Sequence, residues 1–314
     1  MKGLELSEQF YKEYGEKMLK EQFPEVLNRI AVGLIGSGSE CMGYDDDISK
    51  DHDFEPGFTI FIPSEIFMDS KTAFQLERAY AKLPREFMGV TRPLVGPVGG
   101  NRHGVVRLDE FLTEKLGNPY GELSVHDWLT VPEQSVLEVT NGKLFFDGSG
   151  TLTSIREGLS VIPEDVRRKK IAGYLLMMAQ AGQYNYARLT KRGEEGAAQL
   201  AVFEFVKAAL HVFYSLNGKC MPYYKWAFRG LRELPVFADT EENLKFLLTT
   251  GNDGNLALKK SNMIEEIAGY VIEELRKQNL TEANCGDLEK HAYSVNDSIR
   301  DNEIRYLNIF VAVT

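Results

Sequence analysis

Residues 35–62, IGSGSECMGYDDDISKDHDFEPGFTIFI, decide how this chain is read. They are entered through Ala31-Val32-Gly33-Leu34-Ile35, a short apolar run that stops at a glycine, as a buried strand does. They end in Phe58-Thr59-Ile60-Phe61-Ile62, a second strand-like run closed by Pro63. Gly36-Ser37-Gly38-Ser39 follows the first run, and its glycines let the backbone approach a ligand closely. A helix starting there would aim free N–H groups and its dipole at a phosphate, with the Ser37 and Ser39 hydroxyls alongside. Asp51-His52-Asp53-Phe54 reads as the entry to the second strand. Residues i and i+2 of a strand share a face, roughly 6.5–7 Å apart. Asp51 and Asp53 so placed can share one or two magnesium ions, which prefer oxygen ligands.

Other phosphate and metal motifs fit less well. No GKS or GKT follows the glycines, so a P-loop is excluded, and Cys41 stands where a dinucleotide fingerprint needs a glycine. A calcium loop opening at Asp47 would need glycine where His52 stands. Asp45-Asp46-Asp47 reads as a solvated loop.

The rest of the chain sets the context. Its 314 residues, 43% hydrophobic and 26% charged, suit two packed domains or one large one. With 36 basic and 46 acidic residues the net charge is −10, which argues against long nucleic acid as a partner. Apolar runs such as residues 30–35 fall far short of the ~20 residues of a membrane span. MKGLELSEQFYKEYGEK contains no apolar h-region. Cys41, Cys220 and Cys285 lie far apart without CxxC, and the five histidines contain no HExxH. Reduced thiols in the cytoplasm are expected, without a disulfide scaffold, zinc knuckle or zinc hydrolase site.

Outward from the central stretch, residues 6–19 form an amphipathic helix and 23–29 a short second one. Ser64-Glu65 opens a helix to about Leu83, and the glycine- and proline-rich loop 89–104 is long enough to suspect a functional segment. Residues 105–108 and 143–146 are further strands. After Asp147 the spacing is helical, over 164–183, 194–216, 221–231, 241–248 and 262–278. Phe203, Val206, Leu210 and Phe213 make one dry helix face. The expected class is α+β, with a mixed-sheet domain over 1–150 and a helical bundle over 151–314.

Strand, GS turn, about a dozen polar residues, DxD and strand, in that order, resemble the DNA-polymerase-β-like nucleotidyltransferase superfamily. Gly38-Ser39-x-x-x-Gly43 is similar to its GSxxxG turn and Asp51-x-Asp53 to its metal pair, while His52 departs from its apolar middle residue. The helical half resembles the accessory domain of kanamycin-nucleotidyltransferase-like members. GSECMGYDDDISKDHDFEP, GQYNYARLTKR and NGKCMPYYKW together resemble one uncharacterised bacterial branch, over roughly residues 30–235. The resemblance implies a third carboxylate from a later strand. Here the middle of strand 104–109 carries Arg107. Asp109, one alternation on, either takes that role or caps the helix over 110–116. Asp147 ends another strand, but FFDGSG reads equally well as a turn.

In the helical half, Gln183-Tyr184-Asn185-Tyr186 with Arg188 offers amides for a base edge, rings to stack and a guanidinium for phosphate, or else satisfies buried helix ends. Asn217-Gly218 reads as a C-cap. Tyr223, Tyr224 and Trp226 form a stacking surface beside Lys225, although Trp226 suits the core. The resemblance matches Lys225 to an accessory-domain lysine that reaches the triphosphate. Glu204, with Lys207 and His211 at i+3 and i+7, is an acceptor-activating base by the same resemblance, or a plain ion pair with Lys207.

The resemblance therefore implies Mg2+-dependent transfer of a nucleoside monophosphate from an NTP to an acceptor hydroxyl, with release of pyrophosphate. Asp51, Asp53 and Asp109 would bind the metal, and Glu204 would join them in catalysis. Gly36, Ser37, Gly38, Ser39, Arg188, Tyr224 and Lys225 would hold the nucleotide, with the acceptor seated between the domains. A catalytically degenerate nucleotide-binding or protein-interaction module is the alternative. The charge of −10 favours a small, cationic acceptor over RNA or protein.

Overall fold

The computed structural model describes residues 1–51, 54–92 and 103–313, with Lys50 and Asp51 by their backbone only. The chain divides into two units, Met1–Leu123 with Ser135–Val161, and Ser124–Gln134 with Ile162–Thr314. The division therefore falls later than residue 150, and an internal segment joins the helical unit.

The first unit opens with α1 (Gly3–Phe10), a π-helical turn (Tyr11–Gly15) and α2 (Glu16–Gln22), where one helix is expected. A Cβ on Gly15 would lie 2.4 Å from the Phe58 ring, so the glycine lets this turn sit flush on the core. Pro24–Arg29 is 3-10 helical. Then follow β1 (Ala31–Leu34), α3 (Ser39–Met42), a 3-10 turn (Ile48–Asp51), β2 (Thr59–Ile62) and α4 (Ser70–Ala81). α4 starts later than Ser64 because Asp69 caps it, accepting from the Thr72 N–H at 2.7 Å. A small hairpin, β3 (Glu86–Phe87) and β4 (Val90–Thr91), precedes β5 (Gly104–Arg107) and α5 (Leu108–Leu116). The chain continues through α6 (Val125–Thr130), α7 (Glu133–Thr140), β6 (Lys143–Asp147) and α8 (Thr151–Leu159).

The main sheet has the order β5-β2-β1-β6, with β1 antiparallel to both neighbours and β2 parallel to β5. Gly33 faces Thr59, Thr59 faces Gly104, and Ile62 faces Arg107. The C-terminal end of β1 therefore meets the N-terminal ends of β2 and β5. Alternation along β2 sends Phe58, Ile60 and Ile62 into a core with Phe10, Leu19 and Leu76, and Phe61 to the other face against Phe111 of α5.

The second unit continues from α6 with α9 (Glu164–Met178), a π-helical turn (Ala179–Tyr186), α10 (Ala187–Lys191), α11 (Glu195–Leu216), α12 (Tyr224–Leu231) and α13 (Glu241–Thr249). α14 (Gly254–Lys277), α15 (Leu288–Asp297) and α16 (Asn302–Arg305) complete it. Phe203 is 50% exposed, so the dry face of α11 is set instead by Val202, Phe205, Val206, Ala209 and Phe213. Among the described residues α11 alone is long and apolar enough to cross a membrane, contrary to the short runs expected, and 56% of that window is buried inside the structure. Two lysines are wholly buried with carbonyl partners. Lys169 Nζ donates to Asn296 Oδ1 (2.8 Å) and the Leu307 carbonyl (2.7 Å), and Lys260 Nζ to the Thr250 carbonyl (2.7 Å).

Candidate functional site

β1 hands over to Gly36 at φ +111° and Gly38 at φ +131°, where a side chain would be strained. The Asn141 amide clamps this turn. The Gly36 N–H donates to Asn141 Oδ1 at 2.9 Å, and Asn141 Nδ2 donates to the Gly36 carbonyl at 2.8 Å. Gly142 N–H adds a bond to the Cys41 carbonyl at 2.8 Å.

Ser37 Oγ donates to Glu138 Oε2 at 2.8 Å, and Lys115 Nζ lies 2.7 Å from the same oxygen and 3.3 Å from Ser37 Oγ. Glu114 supplies a second carboxylate to Lys115 at 3.0 Å. Only 14% of the Lys115 side chain is exposed. Burial pulls its pKa down, but the bonds to Glu138 and Glu114 outweigh that and hold it above the ordinary value. The ammonium is therefore fixed in its charged form beside the glycine turn. Sequence reasoning missed Lys115, Glu138 and Asn141, since each meets the turn only through the tertiary fold. The Ser39 hydroxyl lies 3.4 Å from Glu40 Oε2. The helix expected behind the turn is a single turn of four residues, closed by Gly43, so it brings little dipole to the site.

The acids are placed differently from the expectation. Asp45 is buried and accepts from the Gly3 N–H at 2.8 Å, so it anchors α1 and is not a solvated loop residue. Asp46 Oδ1 accepts from the N–H groups of Ile48 and Ser49, each at 3.0 Å, and thereby folds the next residues into the 3-10 turn. Asp51 ends that turn and β2 begins only at Thr59, so Asp51 is not on the strand and the shared-face argument does not hold for it. His52 and Asp53 lie outside the described residues. Phe54, which follows them, lies by α3: a Cβ on Gly3 would be 2.8 Å from Glu40 and 3.4 Å from the Phe54 ring.

Asp109 is the second residue of α5, with Arg107 at the N-cap position, so it is not the cap. Its Oδ1 is buried without a hydrogen-bond partner. Because β5 runs parallel to β2, Asp109 follows the end of the sheet opposite the glycine turn. Six helical residues, about 9 Å of rise, separate it from Lys115. Arg107 donates to the carbonyls of Pro63 (3.0 Å) and Met68 (3.1 Å). Asp147 accepts from Gly150 N (2.9 Å) and Thr153 N (2.8 Å) and starts α8, which makes it a turn residue. At the glycine-turn end of the sheet, Glu55 and His103 pair at 2.7 Å with both side chains largely buried. Among the described residues no three His, Cys, Asp or Glu gather as a metal would require. The side chains of Asp51 and Asp53, the expected metal pair, lie outside the described residues.

In the second unit, Arg188 lies over the Tyr184 ring, 3.7 Å from its centroid, and bonds its hydroxyl. Gln183 joins Glu265, Gly286 and Leu288, while buried Tyr186 donates to Asn252 at 3.0 Å. Gln183 thus meets a helix end at Leu288, whereas Tyr186 bonds a side chain. Asn217 bonds the Phe213 carbonyl as a C-cap does. Tyr224 is 71% exposed beside Tyr223, and exposed Lys225 lies 5.1 Å from the Trp226 ring. Glu204 is exposed, whereas His211 is buried and turned to other partners.

Those partners form a charged cluster that sequence reasoning missed. Glu133 pairs with Lys170 at 3.2 Å and His211 at 3.4 Å and accepts from the Met221 N–H at 2.9 Å, while His211 stacks on Tyr174. Burial raises the Glu133 pKa, but Lys170, His211 and the Met221 N–H more than offset it and bring it to about 2. Cys220 nearby is pushed up to about 12 by burial and Glu133.

Residues 128–227, about a third of the chain, match a family described as a domain of unknown function, DUF4037. The matched stretch contains the Glu133 cluster and the second π-helical turn, and does not reach the glycine turn. No curated protein matches the chain.

Proposed function

We propose that this protein is a magnesium-dependent nucleotidyltransferase that moves a nucleoside monophosphate from an NTP to an acceptor hydroxyl, releasing pyrophosphate. The Ser37–Lys115 pair carries this reading: a hydroxyl and a largely buried ammonium, 3.3 Å apart, already grip one carboxylate oxygen at the end of β1. A phosphate oxygen is satisfied by the same two donors, and charge-assisted bonds of this kind are strong. Ser37 and Lys115 would take the β- and γ-phosphates, with Glu138 turned aside. Asp51 and Asp53 would hold magnesium, whose charge would help neutralise the triphosphate. The acceptor hydroxyl gives up its proton to solvent as its oxygen bonds to the α-phosphorus, while the bond to the bridging oxygen breaks and pyrophosphate leaves with that electron pair. Protonated Lys115 favours the charge that pyrophosphate gains. Glu204, Arg188, Tyr224 and Lys225 belong to the second unit, and the reading does not rest on them.

The position of Asp109 favours a second reading, a nucleotide-binding module without transfer, since the third carboxylate is displaced from the turn. Measuring NTP binding and pyrophosphate release with magnesium, in wild type and Lys115→Met, separates the two. Binding and release lost together in the variant support transfer. Wild-type binding without release supports the module, and absence of binding rejects both.

A further inference from the structure

We infer that Arg156 is a positioning residue of the glycine turn: it holds the end of α7 against the turn and offsets the negative charge which that helix end presents there. The inference rests on the phosphate reading of the turn and adds to it a residue outside the Ser37–Lys115 pair. α7 ends at Thr140, and Asn141, the next residue, clamps Gly36 with its side-chain amide at 2.9 and 2.8 Å. Gly142 follows at φ +59°, where a Cβ would collide with the Leu34 carbonyl oxygen, so the chain leaves α7 flush on the end of β1. The Gly142 N–H donates to the Cys41 carbonyl at 2.8 Å and ties down the far side of the turn. The turn is thus built against a helix C-terminus.

That is the wrong end of a helix for an anion. The last carbonyls of a helix lack N–H partners and together carry about half a negative charge. Lys115 has no charge to spare for them, because Glu138 and Glu114 both pair with it. Arg156 of α8 supplies the cation. Its Nη1 donates to the Val139 carbonyl at 2.9 Å and to the Asn141 carbonyl at 2.7 Å. The guanidinium is half-buried, stays protonated at any working pH, and has no carboxylate partner among the described residues. One full positive charge outweighs the half charge of the helix end, so the turn is backed by a net positive field. The same two bonds fix the backbone around the residue whose side chain grips Gly36. Arg156 therefore acts on the turn through Asn141 and needs no contact with the nucleotide. Every residue of this relay belongs to the first unit.

Arg156→Gln and Arg156→Lys test it on the full chain, read by thermal melts, hydrogen exchange without nucleotide, and calorimetry with ATP and magnesium. In Arg156→Gln, exchange over residues 36–42 should rise about tenfold while β2 keeps its protection. Its ATP affinity should fall about tenfold at low salt and by less at high salt, where screening weakens the lost charge. Arg156→Lys keeps the charge and should bind ATP within about threefold of wild type. A residue that only caps α7 would lower the melting temperature in both variants and leave ATP affinity unchanged, and that result would overturn the inference. Wild-type exchange over residues 36–42 in Arg156→Gln overturns it without reference to nucleotide. Wild-type protein that binds no ATP overturns the phosphate reading and the charge role together, and the exchange result still decides whether Arg156 holds the turn. Should Arg156→Gln not fold, a tenfold loss of affinity in folded Arg156→Lys would overturn the charge role.

Discussion

Glu138→Gln should tighten triphosphate binding. In the free protein the Glu138 carboxylate occupies both donors that a phosphate would use, Ser37 Oγ at 2.8 Å and Lys115 Nζ at 2.7 Å. A bound phosphate must displace it and then sit near its charge. Two like charges about 4 Å apart repel by roughly 4 kcal/mol at an effective dielectric near 20. Glu138 is 24% exposed, so solvent and salt reduce this to about 1–2 kcal/mol, or about tenfold in affinity. Glutamine keeps a bond to Ser37 and leaves Lys115 with Glu114, so stability should fall by only ~1–2 kcal/mol. Titration calorimetry with ATP, alongside a thermal melt of each protein, reads both quantities. If Glu138→Gln stays folded and binds ATP no better than wild type, Ser37 and Lys115 do not receive the phosphates.

Asn141→Ala removes both bonds to Gly36 and should lower stability by ~1–3 kcal/mol, measured by urea unfolding, while weakening ATP binding through the loosened turn. Asp109→Ala should leave ATP affinity within about twofold of wild type, because its carboxylate lies about 9 Å of helix rise from Lys115. A large loss would place Asp109 in the site. Glu133 titrates at about 2 when folded against an ordinary 4.5, so its stabilising effect is complete above about pH 5 and is lost as pH falls towards 2. Glu133→Gln should therefore flatten the acid side of the melting-temperature profile, and at neutral pH it should cost ~3–5 kcal/mol by leaving Lys170 unpaired.

The four strands of the main sheet were legible because each is a short apolar run bounded by glycine, proline or polar residues. Their pairing was not, since register depends on partners far along the chain. Helical spacing found α9 and α11, but the π-helical turns at Tyr11–Gly15 and Ala179–Tyr186 escaped it. Each contains a glycine pressed on a distant phenylalanine, Gly15 on Phe58 and Gly182 on Phe205. The glycine turn itself could be read from GSGS. Its lysine could not, because Lys115 is 78 residues from Ser37 and reads locally as the basic last turn of a helix. Asp51 was misplaced because the Asp46 side chain, by bonding Ile48 and Ser49, favours a turn over early entry to the strand. Asp45, Lys169 and Lys260 are buried with partners that the sequence does not place beside them.

Hydrogen exchange read by mass spectrometry, with and without ATP and magnesium, tests the central claim most directly. Triphosphate held by Ser37 and Lys115 should slow exchange over residues 36–42 and at the C-terminal end of α5, where Lys115 lies. The same slowing should be absent in Lys115→Met. Unchanged exchange over residues 36–42 at saturating nucleotide, or protection confined to other segments, would contradict it.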